Sequence, residues 1–377
     1  MDFSVNLLSI QKALRVLNSV ARPNAEDVSG QVVLDVRDNG DLILLCNNSS
    51  LALTHVISGC TVKVAGTTCV AYGKLGSFLN SFTPFAENVG VKDVKFKALK
   101  NDLSLSLDTF FSETNKSTHR LKLKLYPIQK MVVPTPFKNK TLQLNSGTLR
   151  LAIAKVIYAV NPASIRPFLQ GVKVTFDDKF IYFAGTDAQM LSEYTTVNLG
   201  TLKSGSFTLP YSFIAALRKI IDADSEVYFD IDGGTIKAVV NSTTLHGNLL
   251  LGEDFPKYTD TFNRYTHEII INKDIMLNSF VPCMTTLDAD DHNRMTITIK
   301  DNKLFVNSEY AESEYSGDIN FEGEFIADVN GNFLFQTLNA IMDDILKMKF
   351  SNNTGVLIFD SHQFENQKAI LTLVRRK

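Results

Sequence analysis

The residues of this chain that could do chemistry are few and scattered. Asp187 stands in the stretch GTDAQML, and Asp288, Asp290 and Asp291 stand in LDADDHN, Leu287 to Asn293. Four cysteines (Cys46, Cys60, Cys69, Cys283) and six histidines complete the candidates. A lone acid acts as a general acid or base only with a partner group in reach, and no base neighbours Asp187 in the sequence. The aspartate run has the charge for a divalent cation. An EF-hand loop, however, needs Gly at its sixth position and Glu at its twelfth, where this chain has Asn293 and Ile299. The cysteines form no CxxC pair, and the histidines no HExxH or other zinc spacing. Phosphate-cradling glycine loops and a GxSxG nucleophile turn are absent too. The expectation is a protein with no cofactor and no catalytic centre.

Asp187 keeps a second kind of interest. The stretch FLQGVKVTFDDKFIYFAGTDAQMLSEY, Phe168 to Tyr194, reads as a β-hairpin whose strand ends in mixed polar and apolar residues. Such an end could be a catalytic corner, a docking site or an ordinary turn.

The elements that would position these residues are repeated. At 377 residues the chain should hold two or three domains. A hydrophobic content of 45% with 21% charged residues is that of a soluble globular protein. No apolar run could span a bilayer, and the N-terminus lacks the pattern of a signal peptide, so a cytoplasmic protein is expected. Three segments open with an alternating strand, an Asn and a helix-like run: FSVNLLSIQKALRVL from Phe3, LQLNSGTLRLAIAKV from Leu142 and IIINKDIMLNSFVPC from Ile269. A second short helix follows in each, from Val70, Leu209 and Asp328. Asn6 to Asn145 spans 139 residues, as does Tyr72 to Tyr211, while Asn145 to Asn272 spans 127. Period-two alternation around Asn39-Gly40, Gly233-Gly234 and Asp301-Asn302 predicts antiparallel hairpins. The expectation is an α+β chain of three similar domains, 1–137, 138–262 and 263–377. Each has antiparallel sheets covered by two helices.

Charge adds a clue that the net value of −2 hides. In the first helix Leu7, Ile10, Leu14, Leu17 and Ala21 form a core stripe, and Lys12, Arg15 and Arg22 fall on another face. The comparable helices add Lys74, then Arg150 and Lys155, then Arg218 and Lys219, with Asp222 as the only acid. The third pair departs, since Lys273 sits beside Asp274, and Asp343-Asp344 is expected to close the last helix. A repeated basic face with few aromatics suits contact with phosphates and no reading of base sequence.

RPFLQGVKVTFDDKFIYFAGTDAQMLSEY resembles the middle domain of the bacterial DNA polymerase III beta subunit family, the sliding clamps. Arg166, Leu169, Gly171, Thr186, Asp187 and Leu191 match that pattern. GEDFPKY resembles the segment closing that domain, through Phe255, Pro256 and Tyr258, and LNSVARPN resembles the segment after the first helix. The resemblance implies six like domains in a ring made by two chains head to tail, with helices inside and sheets outside. Duplex DNA would pass through it, held by Lys12, Arg15, Arg22, Lys74, Arg150, Lys155, Arg218 and Lys219. It further implies a DNA polymerase and an ATP-dependent clamp loader as partners, with no membrane. A pocket for a short linear motif would be formed by Leu169, Thr186, Ala188, Gln189, Met190, Leu191 and Pro256, and by Leu371, Leu373, Val374 and Arg375. Met190→Asp should then abolish polymerase stimulation and spare assembly.

The chain departs from the family where Ala188 replaces Gly, Met190 replaces Arg, and Asp260-Thr261 replace Arg-Val. The tail lacks the usual Met-Pro-Met-Arg-Leu. Such departures suit a phage-encoded member acting in a host cytoplasm. Leu121 and the region of Leu287 are candidates for the interface between chains. The alternatives are a metal-dependent hydrolase using Asp187 or Asp288–Asp291, and a structural oligomer that never encircles DNA.

Overall fold

The computed structural model describes residues 1–82, 93–110, 116–128, 140–199, 204–222, 224–252, 254–317, 319–352, 354–363 and 366–375. The expected boundary at Phe137 lies outside the described residues. Along the chain one order of elements runs three times. The first run is β1 (Asp2–Asn6), α1 (Leu7–Leu17), β2 (Gln31–Val36), β3 (Leu42–Asn47), β4 (Leu51–Ile57), β5 (Thr61–Val64), β6 (Gly66–Ala71), α2 (Tyr72–Asn80), β7 (Asp93–Ala98), β8 (Asp102–Phe110) and β9 (Lys116–Lys124). The second is β10 (Leu142–Asn145), α3 (Ser146–Val156), β11 (Gly171–Phe176), β12 (Phe180–Thr186), β13 (Met190–Val197), β14 (Gly205–Pro210), α4 (Tyr211–Ile220), β15 (Glu226–Asp232), β16 (Thr235–Val240) and β17 (Thr243–Asn248). The third is β18 (His267–Asn272), α5 (Lys273–Met284), β19 (Arg294–Lys300), β20 (Lys303–Asn307), β21 (Glu312–Ser316), β22 (Glu324–Asn330), α6 (Gly331–Ala340), β23 (Ile345–Phe350), β24 (Val356–Ser361) and β25 (Gln367–Thr372). Among the described residues only β5 is extra to the first run.

The Asn that opens each run is a helix cap. Asn6 Oδ1 accepts the N–H of Ser9 at 3.2 Å, and Asn145 Oδ1 that of Gly147 at 2.8 Å. Asn272 Oδ1 accepts those of Asp274 and Ile275 at 2.9 and 3.3 Å. Asn330 does the same for Phe333 at the start of α6. The first N–H groups of a helix have no partner within it, so the capping residue is fixed by the geometry of the strand-to-helix corner.

The chain divides into two compact units, Met1–Gly147 with Ser212–Leu249, and Thr148–Tyr211 with Leu250–Lys377. The first holds an eight-stranded sheet, β6-β2-β3-β4-β17-β16-β15-β10, and a five-stranded one, β5-β1-β7-β8-β9. Helix α1 buries Leu7, Ile10, Leu14 and Leu17, and β8 alternates buried Leu103, Leu105 and Leu107 with partly exposed Asp102, Ser104 and Ser106. Full burial of each such leucine is worth about 1.5–3 kcal/mol. The second unit holds the eight-stranded sheet β14-β11-β12-β13-β25-β24-β23-β18 and the four-stranded sheet β22-β19-β20-β21. All pairings are antiparallel among the described residues. The middle run is thus shared, because its β17 joins β4 and its β13 joins β25. The turn signals hold: Gly40 and Gly233 have φ of +86° and +59°, and Asp301 and Asn302 have +50° and +59°.

Two details differ from the sequence reading. Helix α1 ends at Leu17, so Arg22 lies beyond it, with its N–H on Ser29 O at 2.7 Å. Asp343 does not close α6. It is buried, accepting bonds from Ser361 Oγ and from the N–H of Gln363.

Asn272 caps two N–H groups at once, so Asn272→Ala should lower the unfolding free energy by about 1 kcal/mol. Asn272→Asp should retain the caps and most of the stability. Urea denaturation of the two variants measures the difference, and equal losses would remove the capping account.

Candidate functional site

The basic side chains of the helices divide by burial. Lys12, Arg15, Arg22, Lys74, Arg150, Arg218 and Lys219 are all exposed. None of them forms an ion pair among the described residues. Lys155 is a correction to the expected face. It is 8% exposed, and its Nζ donates to the carbonyl of Ala340 at 2.5 Å. Arg150 and Lys155 are five residues apart, which on an α-helix places them about 140° around the axis from one another. Lys12 and Arg15, three apart, share a face.

The target of Lys155 is the C-terminal end of α6, where Lys273 Nζ also donates to Ile341 O at 3.0 Å. The last carbonyls of a helix lack intrahelical partners and carry partial negative charge, so two lysines satisfy them. Burial, and then the nearby Lys273 charge, lower the pKa of Lys155. The exposed positions of α5 and α6, including Asp274, Asn278, Asn332, Gln336 and Asn339, carry no cation.

The stretch GTDAQML forms the turn from β12 to β13. Asp187 Oδ1 accepts the N–H groups of Gln189 and Met190 at 2.8 and 2.7 Å, and Asp187 N donates to Met190 O at 3.2 Å. Thr186, buried, donates its hydroxyl to Met190 O at 2.7 Å. Asp187 is therefore spent on the backbone. The same turn recurs in the other runs. Asn48 Oδ1 accepts from Ser50 and Leu51, and Ser308 Oγ accepts from Ala311. Ala188 has φ +76°, a left-handed conformation that suits Gly.

The expected pocket residues do not form one open surface. Period two sends Met190 and Leu191 to opposite faces of the sheet. Met190 and its cross-strand neighbour Leu371 belong to one core cluster, with Leu373 partly buried against it. Leu191 joins Phe262, Ile358 and Ile370 in another, against which Phe255 and Tyr258 pack. Leu169 is 5% exposed, in the 3-10 turn Pro167–Gln170. Ala188, Gln189, Pro256 and Arg375 are exposed, and Leu373 and Val374 half-buried. The turn is tied to the C-terminal strand by Thr372, whose N–H and hydroxyl both donate to Gln189 O, at 2.8 and 2.6 Å. The exposed residues of the set are thus Ala188, Gln189, Pro256 and Arg375, and the buried Met190 and Leu191 lie in two separate clusters.

Glu193 and Lys368 escaped the sequence reading, and Tyr258 entered it only as a match to the family pattern. Tyr258 donates to Glu193 at 2.6 Å, and Glu193 lies opposite Lys368 across the strand pair. Burial raises the pKa of Glu193, against the lowering effects of Tyr258 and Lys368. The only sequence signal was Tyr258 itself. In the run Leu287 to Asn293, Asp288 caps the turn through Asp290 N at 2.8 Å, and Asp291 pairs with Arg294 at 3.1 Å. Among the described residues no three His, Cys, Asp or Glu side chains gather as a metal site.

Met190→Asp would place a carboxylate in a packed core, so it should lower the melting temperature sharply and cannot report on docking alone. Ala188→Gly should raise the melting temperature or leave it unchanged, by at most about 1 kcal/mol of relieved strain less the added chain entropy of Gly. Ala188→Val should lower it. Differential scanning fluorimetry compares all three, and a stabilising Ala188→Val would remove the strain account.

Residues 143–257 match the family model of the DNA polymerase III beta subunit, central domain. No curated protein matches the chain by sequence. Solved structures match it from end to end. The DNA polymerase III subunit beta from Pseudomonas aeruginosa has TM-score 0.85 at 16% identity, with all of both chains covered. The Helicobacter pylori beta clamp gives 0.81 at 17%, and the beta subunit from Thermotoga maritima 0.83 at 12%, again over the whole of both chains. Residues 143–257 are thus similar to the central domain of the DNA polymerase III beta subunit, and the chain has the fold of those subunits over its full length.

Proposed function

We propose that this protein is a DNA sliding clamp, a non-catalytic processivity factor that encircles duplex DNA as a head-to-tail homodimer and tethers a DNA polymerase. Three clamp domains, 1–137, 138–262 and 263–377, make each half of the ring. The observation that carries the reading is the set of exposed helix cations without carboxylate partners, in a chain matched end to end by bacterial sliding clamps. Phosphate contact through Lys12, Arg15, Arg22, Lys74, Arg150, Arg218 and Lys219 is independent of sequence and sensitive to salt. Enclosure then supplies retention, and weak individual contacts allow sliding. The third repeat, with no exposed cation on α5 or α6, contributes little to this hold.

The polymerase and other partners dock a short linear motif on the rim formed by Ala188, Gln189, Pro256, Leu373, Val374 and Arg375. Thr186, Leu169, Met190, Leu191 and Leu371 are its supporting floor. An ATP-dependent loader opens and closes the ring on DNA without ends. No helix among the described residues is long and apolar enough to cross a membrane, and the work is assigned to the compartment that holds the DNA.

Linear duplex tests enclosure without a loader. The protein should thread onto DNA with open ends and stay through a high-salt wash once both ends are blocked by bulky adducts. DNA blocked beforehand should retain almost none. Equal retention on both substrates would mark an ordinary DNA-binding protein, and none on either a structural oligomer. Lys12→Ala, Arg15→Ala and Arg150→Ala together should reduce the slope of log K against log salt by about 2–3. Lys155→Ala should leave that slope unchanged and lower stability instead. Gln189→Asp with Pro256→Asp should abolish polymerase stimulation while leaving the threaded state intact.

A further inference from the structure

The strands that open and close each run form one half-sheet: β1 with β7–β9, β10 with β15–β17, and β18 with β23–β25. The capping Asn6, Asn145 and Asn272 lie opposite Asp93, Glu226 and Ile345, so the registers define equivalent rows across the three half-sheets. On the face that carries charge, the third run sets Lys347, Asp360 and Lys368 side by side. The middle run sets Asp230 and Lys237 beside His246. Each of these rows holds a carboxylate. Asp360 takes Lys349 at 2.5 Å, and Asp230 takes Lys237 at 3.5 Å. Both faces are also covered, since Asp230 and Lys237 are buried and Tyr258 and Phe262 pack on Ile358 and Ile370.

The first run has the same two rows without the carboxylates. They read Lys95, Ser106, Arg120 and Lys97, Ser104, Lys122. The four cations are exposed and the two serines half-buried, while Phe96, Leu103, Leu105 and Leu107 pack beneath the sheet. Among the described residues Lys95, Lys97 and Arg120 form no ion pair and the serine hydroxyls no hydrogen bond; Lys122 alone has a partner, Asp102 at 3.0 Å. Asp2, across from Lys97, and Asp93, two residues from Lys95, form no ion pair either. Residues two apart on a strand are separated by about 7 Å and neighbouring strands by about 4.8 Å, so the cations make two rails roughly 10 Å apart along a serine channel. Like charges gathered on a sheet face destabilise the free protein.

We propose that this face binds single-stranded nucleic acid, with the sugar-phosphate chain lying in the serine channel between the rails. The proposal goes beyond the clamp reading and does not rest on it; on that reading the face lies outside the ring, apart from the pore. Phosphates meet the four cations, and the serine hydroxyls donate to phosphate oxygens. Small neutral side chains keep the channel open, where the third run has a carboxylate. The serine row of β8 ends at Phe110, 41% exposed, with Lys116 Nζ 5.7 Å from its ring centroid. Asp108, between Ser106 and Phe110, is already taken by Lys116 and Thr118, each at 2.7 Å. A base can stack on such a ring only when it is unpaired, which favours a single strand over a duplex. The two rows offer no apolar anchor of the kind a protein partner would use.

Fluorescence anisotropy with a labelled circular oligothymidylate tests the face, because a closed circle cannot thread a closed ring. The parent should bind it. Lys95→Gln with Lys97→Gln should weaken binding at least tenfold at low salt and reduce the slope of log K against log salt by about 1.4, for two lost phosphate contacts. Both lysines are exposed and stand two strands in from β9, so the variant should melt with the parent. Ser106→Asp, which restores the carboxylate of the third run, should abolish binding, and Phe110→Ala should weaken it severalfold. Lys12→Ala, Arg15→Ala and Arg150→Ala together should leave it unchanged. A parent that does not bind, a Lys95 and Lys97 variant that binds like the parent, or loss in the helix variant would each overturn the proposal. So would a circular duplex or polyglutamate that competes as well as the single strand. Retention on end-blocked duplex reports separately on the clamp. The Lys95 and Lys97 variant should be retained like the parent, and a parent that binds circles but is never retained removes the clamp and leaves this face.

Discussion

A strand at the edge of a sheet carries N–H and C=O groups on one side that only water or another strand can satisfy. In this chain that constraint organises everything larger than a hairpin. Each run makes two half-sheets, and two joints, β4 with β17 and β13 with β25, turn four of the six into continuous sheets. The compact units follow the joints and not the repeat, since main-chain bonding and the core beneath it bind half of the middle run to each neighbour. The helices are subordinate to this scheme. They start where a strand turns a corner, and at α1, α3, α5 and α6 an asparagine at that corner caps the first turn.

The same economy explains the turn from β12 to β13. An Asx-type bond between a polar side chain and the backbone two or three residues on is a local device, and the chain uses it with Asn48, Asp187 and Ser308 alike. What distinguishes the middle copy is its surroundings. The C-terminal strand ends beside it, and Thr372 is bonded to Gln189. Function at such a place depends on what the scaffold leaves accessible around an otherwise ordinary turn.

Fold class, hairpins and helix positions were legible in the sequence, because alternation, turn residues and the Asn spacing are local signals. The stripe Leu7, Ile10, Leu14 and Leu17 could be read directly and is fully packed. The family showed in the middle stretch, the part that the family model matches. Burial of individual charged and apolar side chains could not be read in the same way. Lys155 looked like its exposed counterparts because sequence distance does not reveal that the end of α6 lies within reach of its amine. Met190 and Leu191 looked like two anchors of one pocket, and only strand geometry separates them onto two faces. Arg22 followed a helical period beyond the place where the helix stops.

A chain with three similar half-sheets of each class could, while folding, join the wrong two. The joints differ in ways that discriminate. At equivalent positions Thr54 faces Thr244, Glu193 faces Lys368, and Glu314 takes Lys303 of the neighbouring strand. Strand β4 laid against β25 would set Leu51 against Leu371, where its own partner offers the space of Gly247. Strand β21 laid against β17 would bring its glutamates to Thr244 and His246, with no lysine or arginine among those positions. The divergence among the repeats therefore acts as an address. It directs each half-sheet to its own neighbour and lets a repetitive sequence reach one topology.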